Sequence, residues 1–224
     1  MKPNYYLSLF FLIAIISCNA DKSTSMKAGD NTEKDTLKVT KFKTIIFFGN
    51  SLTAGYGLEP SEAFPALIQN KLDLLKLNYK VVNAGVSGET TSGGNSRVDW
   101  ILRQPIDVFV LELGANDGLR GIPLKETKNN LQSMINKVTI AYPNAKIILA
   151  GMQIPPNMGM QYTTEFRNIY PELAKKNNIT LIPFILEGVG GEAKLNQEDG
   201  IHPTAEGHKV IAENLWKEIQ GQLH

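Results

Sequence analysis

Ser51, Asp199 and His202 are the residues whose types and spacing could do chemistry together. Ser51 follows the apolar run Thr44-Ile45-Ile46-Phe47-Phe48 and sits in Gly49-Asn50-Ser51-Leu52-Thr53-Ala54-Gly55-Tyr56-Gly57. A serine hydroxyl is a poor nucleophile until a base accepts its proton, and imidazole is the usual base at neutral pH. That base needs an acceptor to orient its second ring nitrogen. Asp199-Gly200-Ile201-His202-Pro203 supplies both groups in a tight turn, with the carboxylate placed to lie beside Nδ1. The chain has 3 histidines; His208 falls in the last helix and His224 is terminal, so only His202 has an aspartate in this relation. Acyl transfer also needs donors aimed at the oxyanion. Gly88 offers a backbone N–H on a glycine-bearing loop, and Asn116 a side-chain amide just past Gly114-Ala115. Each of these has a plainer reading when taken alone. A serine after a strand commonly caps the next element, an Asp-x-x-His before a proline can be a helix-entry loop, and Gly88 and Asn116 can be turn residues.

The elements around these loops decide between the readings. Short β-rich runs alternate with longer helix-periodic ones, the pattern of an α/β fold with a parallel sheet. Strands are predicted at Thr44–Gly49, Lys80–Asn83, Asp107–Leu113, Ala145–Gly151 and Thr180–Pro183, and helices at Ser61–Leu77, Asn95–Leu102, Leu124–Tyr142 and Thr163–Asn177. A last helix runs from about Thr204 to Gln222, with Val210, Ile211, Leu215 and Ile219 on its apolar stripe. Pro60-Ser61-Glu62 reads as the opening of the first helix, and Asn177-Asn178 as the close of another. Runs such as Val108-Phe109-Val110-Leu111 and Ile147-Ile148-Leu149 are apolar on both faces, so helices should cover both sides of the sheet. In open α/β sheets, sites form beyond the carboxyl ends of the strands. The Ser51 turn, Asn83–Thr90 and Gly114–Gly118 each follow a predicted strand, and the Asp199–His202 loop precedes the last helix. Their convergence at one sheet edge raises the chemical reading over the plainer ones.

Composition bounds the rest. The chain of 224 residues is 42% hydrophobic and 20% charged, with Lys+Arg 23 against Asp+Glu 22, so no basic excess argues for a nucleic-acid partner. Residues 1–17 read as a signal peptide: Lys2, then the apolar Tyr5 to Ile16, too short to span a bilayer, which takes about 20 residues. Ile15-Ile16-Ser17-Cys18 resembles the bacterial lipoprotein box, in which the cysteine becomes the lipidated N-terminus. Cys18 is also the only cysteine, better placed for attachment than for redox or metal work. Residues 18–41 are polar and read as a flexible tether reaching on the order of 25 Å. One domain, 42–224, follows. These features place it in the bacterial cell envelope, membrane-anchored and facing the periplasm or the exterior.

Taken in order, the four clusters resemble the four sequence blocks of the SGNH (GDSL-type) hydrolases: Ser51, Gly88, Asn116 and His202, with Asp199 completing a triad. The resemblance runs from Lys43 to Ile219 and is nearest the bacterial acyl-CoA thioesterase I, lysophospholipase and arylesterase subgroup. Leu111-Glu112-Leu113-Gly114, Asn116-Asp117-Gly118-Leu119-Arg120-Gly121 and Ile169-Tyr170-Pro171 carry it, along with the blocks themselves. It implies a three-layer α/β/α flavodoxin-like fold with five parallel strands. It implies Ser51 as nucleophile, His202 as base and then acid, Asp199 as its orienter, and Ser51 N–H, Gly88 N–H and the Asn116 amide as the oxyanion hole. No metal or organic cofactor is expected, and the sequence shows no HExxH, paired CxxC or P-loop. Gly188-Val189-Gly190-Gly191 lacks the strand-to-helix setting of a dinucleotide fingerprint and reads as a turn. The signature departs in one place: Asn50 stands where the family has aspartate, which keeps the shape, removes a charge and adds a donor. The loop after Met152-Gln153-Ile154 is also shorter than in that subgroup.

The expected activity is hydrolysis of aryl esters, lysophospholipids or acyl thioesters by a monomer. An envelope lipoprotein faces away from cytoplasmic coenzyme A, which favours lysophospholipids and short acyl esters. Carbohydrate deacetylation on the same fold is the alternative, and it would need a polar cleft; Ile154, Pro155, Pro156 and Met158 suggest an apolar rim instead. A scaffold retained only for ligand binding, with Asn50 as a sign of decay, is the non-enzymatic alternative.

Overall fold

Five runs of β-branched and aliphatic residues become one parallel sheet in the computed structural model, which describes residues 42–223. The signal peptide, Cys18 and the tether lie outside the described residues. The strands are β1 (Lys43–Gly49), β2 (Tyr79–Gly85), β3 (Val108–Glu112), β4 (Lys146–Ala150) and β5 (Thr180–Ile182), in the order β2-β1-β3-β4-β5. In β3 every residue is buried, as are Ile45 to Gly49 of β1 and Ile147 to Ala150 of β4. The edge strands β2 and β5 are only partly covered, so two-sided burial holds for the centre of the sheet and not its margins.

The helices are α1 (Ser51–Ala54), α2 (Phe64–Leu74), α3 (Thr91–Ile101), α4 (Ala115–Leu119), α5 (Leu124–Ala141), α6 (Met160–Asn177) and α7 (Ala205–Ile219). α2 packs against α7, while α5 packs against both α3 and α6. Right-handed crossovers from a strand order that reverses at β1 put these two groups on opposite faces, giving three layers. In α7, Ile211, Leu215 and Ile219 are buried as the stripe requires, while Val210 lies at its half-buried margin. Asn178 closes α6 in the left-handed conformation.

Several boundaries differ from the sequence expectation, some through distant partners and some through local caps. α2 begins at Phe64 rather than Ser61, and residues 60–62 form a turn. The Phe64 N–H donates to Nδ1 of His208 at 3.0 Å, an acceptor on α7. Burial pushes His208 down to about 4, which keeps the imidazole neutral and able to accept. α3 begins at Thr91 rather than Asn95, because the Thr90 side chain caps Gly93 and the buried Asp117 carboxylate takes the Thr91 N–H at 2.9 Å. α1 and α4 are short turns of helix in segments read as loops. Asn50 caps α1 by accepting from the Leu52 N–H, and Gly114, at φ 119, starts α4. A Cβ on Gly114 would meet the Tyr170 hydroxyl, so this position tolerates no larger residue on either ground.

Sheet register is what aligns the loops. Gly49 of β1 pairs level with Gly85 of β2 and Glu112 of β3. The chain therefore leaves all three strands at one height, and the segments bearing Ser51, Gly88 and Asn116 leave the same edge.

Candidate active site

The structure brings Ser51, His202 and Asp199 into one line. Ser51 opens α1 at the end of β1 and is 9% exposed. Its Oγ lies 2.9 Å from Nε2 of His202, and Nδ1 of that ring lies 2.6 Å from Oδ2 of Asp199. The hydrogen bond from the His202 ring, followed by those from the backbone N–H groups of His202 and Ile201, lowers Asp199 to about 2. An ionised carboxylate only accepts, so the ring proton sits on Nδ1 and leaves the Nε2 lone pair facing the serine hydroxyl. The Tyr56 ring packs against the same imidazole, tilted by 40° with the ring centroids 4.5 Å apart.

The Asp199–His202 segment is a closed loop. Asn196 and Pro203 form an antiparallel bridge, and the Gln197 N–H donates to the His202 carbonyl at 2.7 Å. Within the loop, Asp199 Oδ1 accepts from the Ile201 and His202 N–H groups. The Gln197 amide also reaches the Tyr56 carbonyl at 2.8 Å, joining the loop to the chain just past Ser51.

Asn116, on α4, donates from Nδ2 to the Glu89 carbonyl at 3.0 Å. Glu89 is held by Arg97 of α3, whose guanidinium also binds the carbonyls of Ala84 and, at 3.4 Å, Gly49. Arg97 thus ties the ends of β1 and β2 to the loop on which Asn116 rests. Gly88 adopts φ 78 in that loop, and its carbonyl accepts from Arg120 at 3.0 Å. Ser51, Asn116 and His202 line a cavity of ≈ 370 Å³; Gly88 is exposed beside it and is not part of its lining. As the first residue of α1, Ser51 has a backbone N–H with no acceptor within the helix.

The cavity is walled by Leu119, Met152, Ile154, Pro155, Phe184 and Leu186. Ile154 and Pro155 were legible as a rim; Pro156 and Met158 lie in a 3-10 turn outside the lining. Phe184 and Leu186 come from the segment after β5, where nothing in the sequence flagged a wall. Gly190 and Gly191 also border the cavity from a turn, as read for that glycine cluster. Among the described residues no three His, Cys, Asp or Glu side chains converge as a metal set. A role for Glu112, Glu89 or Arg97 at the site was not evident in the sequence; a glutamate ending an otherwise apolar strand was the available signal for the first of them.

Comparison with known proteins gives a consistent result. The model of the GDSL-like Lipase/Acylhydrolase family matches residues 47–210. The chain is 38% identical over 182 residues to the esterase TesA of Pseudomonas aeruginosa, covering 81% of this chain and 90% of that one. It is 37% identical over 186 residues to the thioesterase 1/protease 1/lysophospholipase L1 of Escherichia coli, covering 83% and 87%. Among solved structures, a psychrotrophic esterase EstA from Pseudoalteromonas, inhibited by monoethylphosphonate, superposes with a TM-score of 0.76 at 34% identity, covering 80% of this chain and 97% of that one.

Proposed function

Because the chain belongs to the GDSL-like lipase/acylhydrolase family and is thereby an ester hydrolase, we propose that it works through Ser51, His202 and Asp199 on acyl esters carried in the cell envelope. The observation that carries this reading is the Ser51–His202–Asp199 line opening onto a largely apolar cavity. Ser51 Oγ attacks the ester carbonyl carbon as His202 Nε2 takes its proton. The oxyanion is received by the Ser51 N–H, the Gly88 N–H and the second N–H of the Asn116 amide. Collapse expels the alcohol or thiol, protonated by His202, and leaves an acyl group on Ser51. Water, deprotonated by the same imidazole, then releases the acid and restores the serine. Asp199 holds the ring and stabilises its cationic form throughout.

The apolar wall favours the acyl half of the substrate over a sugar, so lysophospholipids and medium-chain esters are the substrate class. Burying one methylene is worth about 0.8 kcal/mol, or roughly fourfold. Across p-nitrophenyl esters from acetate upward, kcat/KM is expected to climb by about fourfold per methylene until the cavity fills, then level off. A maximum at acetate, with release of acetate from acetylated glycans, would instead support deacetylation.

Cys18 bears the lipid in this proposal and 18–41 is the tether, which puts the domain at a bacterial envelope membrane as a monomer. Labelled palmitate fed to expressing cells should appear in the wild-type protein and be lost in Cys18→Ala. Incorporation that persists in the variant would sink the anchor.

A further inference from the structure

Glu112 ends β3, is 1% exposed, and takes no part in the steps above. The hydrogen-bonding partners of its carboxylate all come from the turn that carries the nucleophile. Oε1 accepts from Asn50 Nδ2 at 2.8 Å; Oε2 accepts from Thr53 Oγ1 at 2.8 Å and from the Asn50 backbone N–H at 3.2 Å. Space for this carboxylate exists because residue 49 is glycine: a Cβ there would run into both Thr53 Oγ1 and Glu112 Oε2. At its other end, Asn50 Oδ1 accepts from the Leu52 N–H at 2.9 Å and stands 3.5 Å from Ser51 Oγ. Ser51 is thereby bracketed by residues fixed to one buried carboxylate.

We propose that Glu112 is a positioning residue for Ser51, and that Asn50 is its charge-matched partner, the two together setting where Oγ stands relative to His202. The inference rests on Ser51 being the nucleophile. A side chain at position 50 must donate to a carboxylate at one end and accept from a backbone N–H at the other. An amide does both at once. An aspartate there would face Glu112 with a second carboxylate, and the pair could persist only by sharing a proton.

The surroundings offer no other relief. On α6, the Tyr170 hydroxyl donates to the Leu113 carbonyl, and burial, then the charge of Glu112, push its pKa up. On α4, Asp117 is held by Thr91 and Thr127. On α3, Arg97 is paired with Glu89 and reaches only the Gly49 carbonyl in this region. On the cavity side stand His202 and Asp199, paired with each other. Among the described residues no cation pairs with Glu112. Burial pushes it up to about 7 even against the donors that favour its ionised form, so two ionised carboxylates side by side are disfavoured here and an aspartate at position 50 would hold a proton in common with Glu112.

The test is a double-mutant cycle on kcat/KM for p-nitrophenyl butyrate, from mildly acidic to alkaline pH, with thermal melts of all four proteins. Asn50→Asp should match the wild type at acidic pH, where the shared proton bridges the pair, and lose about tenfold on the alkaline side. Glu112→Gln must turn its NH2 against either the Asn50 NH2 or the Asn50 backbone N–H, whichever way the amide faces, and should lose about tenfold across the range. Asn50→Asp with Glu112→Gln restores the donor–acceptor order with the roles exchanged. It should recover to within about threefold of wild type and lose the alkaline decline. A wild-type pH profile for Asn50→Asp, or losses that simply multiply in the double variant, would overturn the proposal. If Glu112→Gln does not fold, the profile of Asn50→Asp decides alone. A fluorophosphonate probe separates the two levels: an unlabelled wild type removes the nucleophile reading and this inference with it, whereas a labelled wild type with a multiplicative cycle removes only the inference.

Discussion

Replacing Ser51 with alanine is expected to lower kcat/KM for p-nitrophenyl butyrate by about 10⁴- to 10⁶-fold while leaving the fold in place. The size follows from the role: without Oγ no acyl-enzyme can form, and what persists is the rate that substrate binding and oxyanion donors give to attack by water. The fold should be indifferent, since Oγ contributes only the 2.9 Å contact with His202 and the 3.5 Å contact with Asn50. Three measurements make the result specific. Steady-state activity should collapse, any pre-steady-state burst of p-nitrophenolate should vanish, and fluorophosphonate labelling should disappear. The thermal midpoint should shift by only a few degrees, in either direction. A variant that kept its burst would show that another residue carries the acyl group.

The second large effect separates base from orienter. His202→Ala should cost nearly as much as Ser51→Ala, because the hydroxyl then has no acceptor for its proton. Asp199→Ala should cost at least about tenfold less. Two features lead to that order. The Asp199 side chain is 39% exposed, so water can partly replace it as acceptor for Nδ1–H. The ring is also restrained from elsewhere, by the Tyr56 ring and by the bridge that closes its loop. Because the His202 hydrogen bond holds Asp199 at about 2, this carboxylate stays ionised from mildly acidic to alkaline pH. Asp199→Asn should therefore lower the plateau of the pH–rate profile without adding a new acidic limb. Losses that are equal for His202→Ala and Asp199→Ala would mean that the loop depends on the carboxylate for its shape.

Much of this was legible in the residues. The central strands announce themselves because they are buried on both faces, and a run such as Val108-Phe109-Val110-Leu111 suits little else. The loops beyond them could be compared because strand ends in a parallel sheet share an edge. What escaped the sequence was set by partners far along the chain. Nothing near Ser61 or Phe64 says that α2 starts at an imidazole on α7, or that Thr91 begins its helix on the Asp117 carboxylate. Asn50 is the instructive case. Its departure from the family signature was visible as an added donor, yet the meaning of that donor depends on an acceptor 62 positions away. The two shortest helices, α1 and α4, were hidden because each spans about a turn, below the length at which periodicity can be read.

The closed loop around Asp199 and His202 has a consequence for how this protein comes into being and fails. Orienter and base are assembled by neighbours three residues apart, whereas base and nucleophile meet across 151 positions. The first pairing can form in a fragment; the second exists only when the whole sheet has gathered both ends of the chain. Activity is therefore the stricter test of the native state: on heating, esterase activity is expected to fall no later than the helical signal, because parting β1 from the loop after β5 breaks the Ser51–His202 contact.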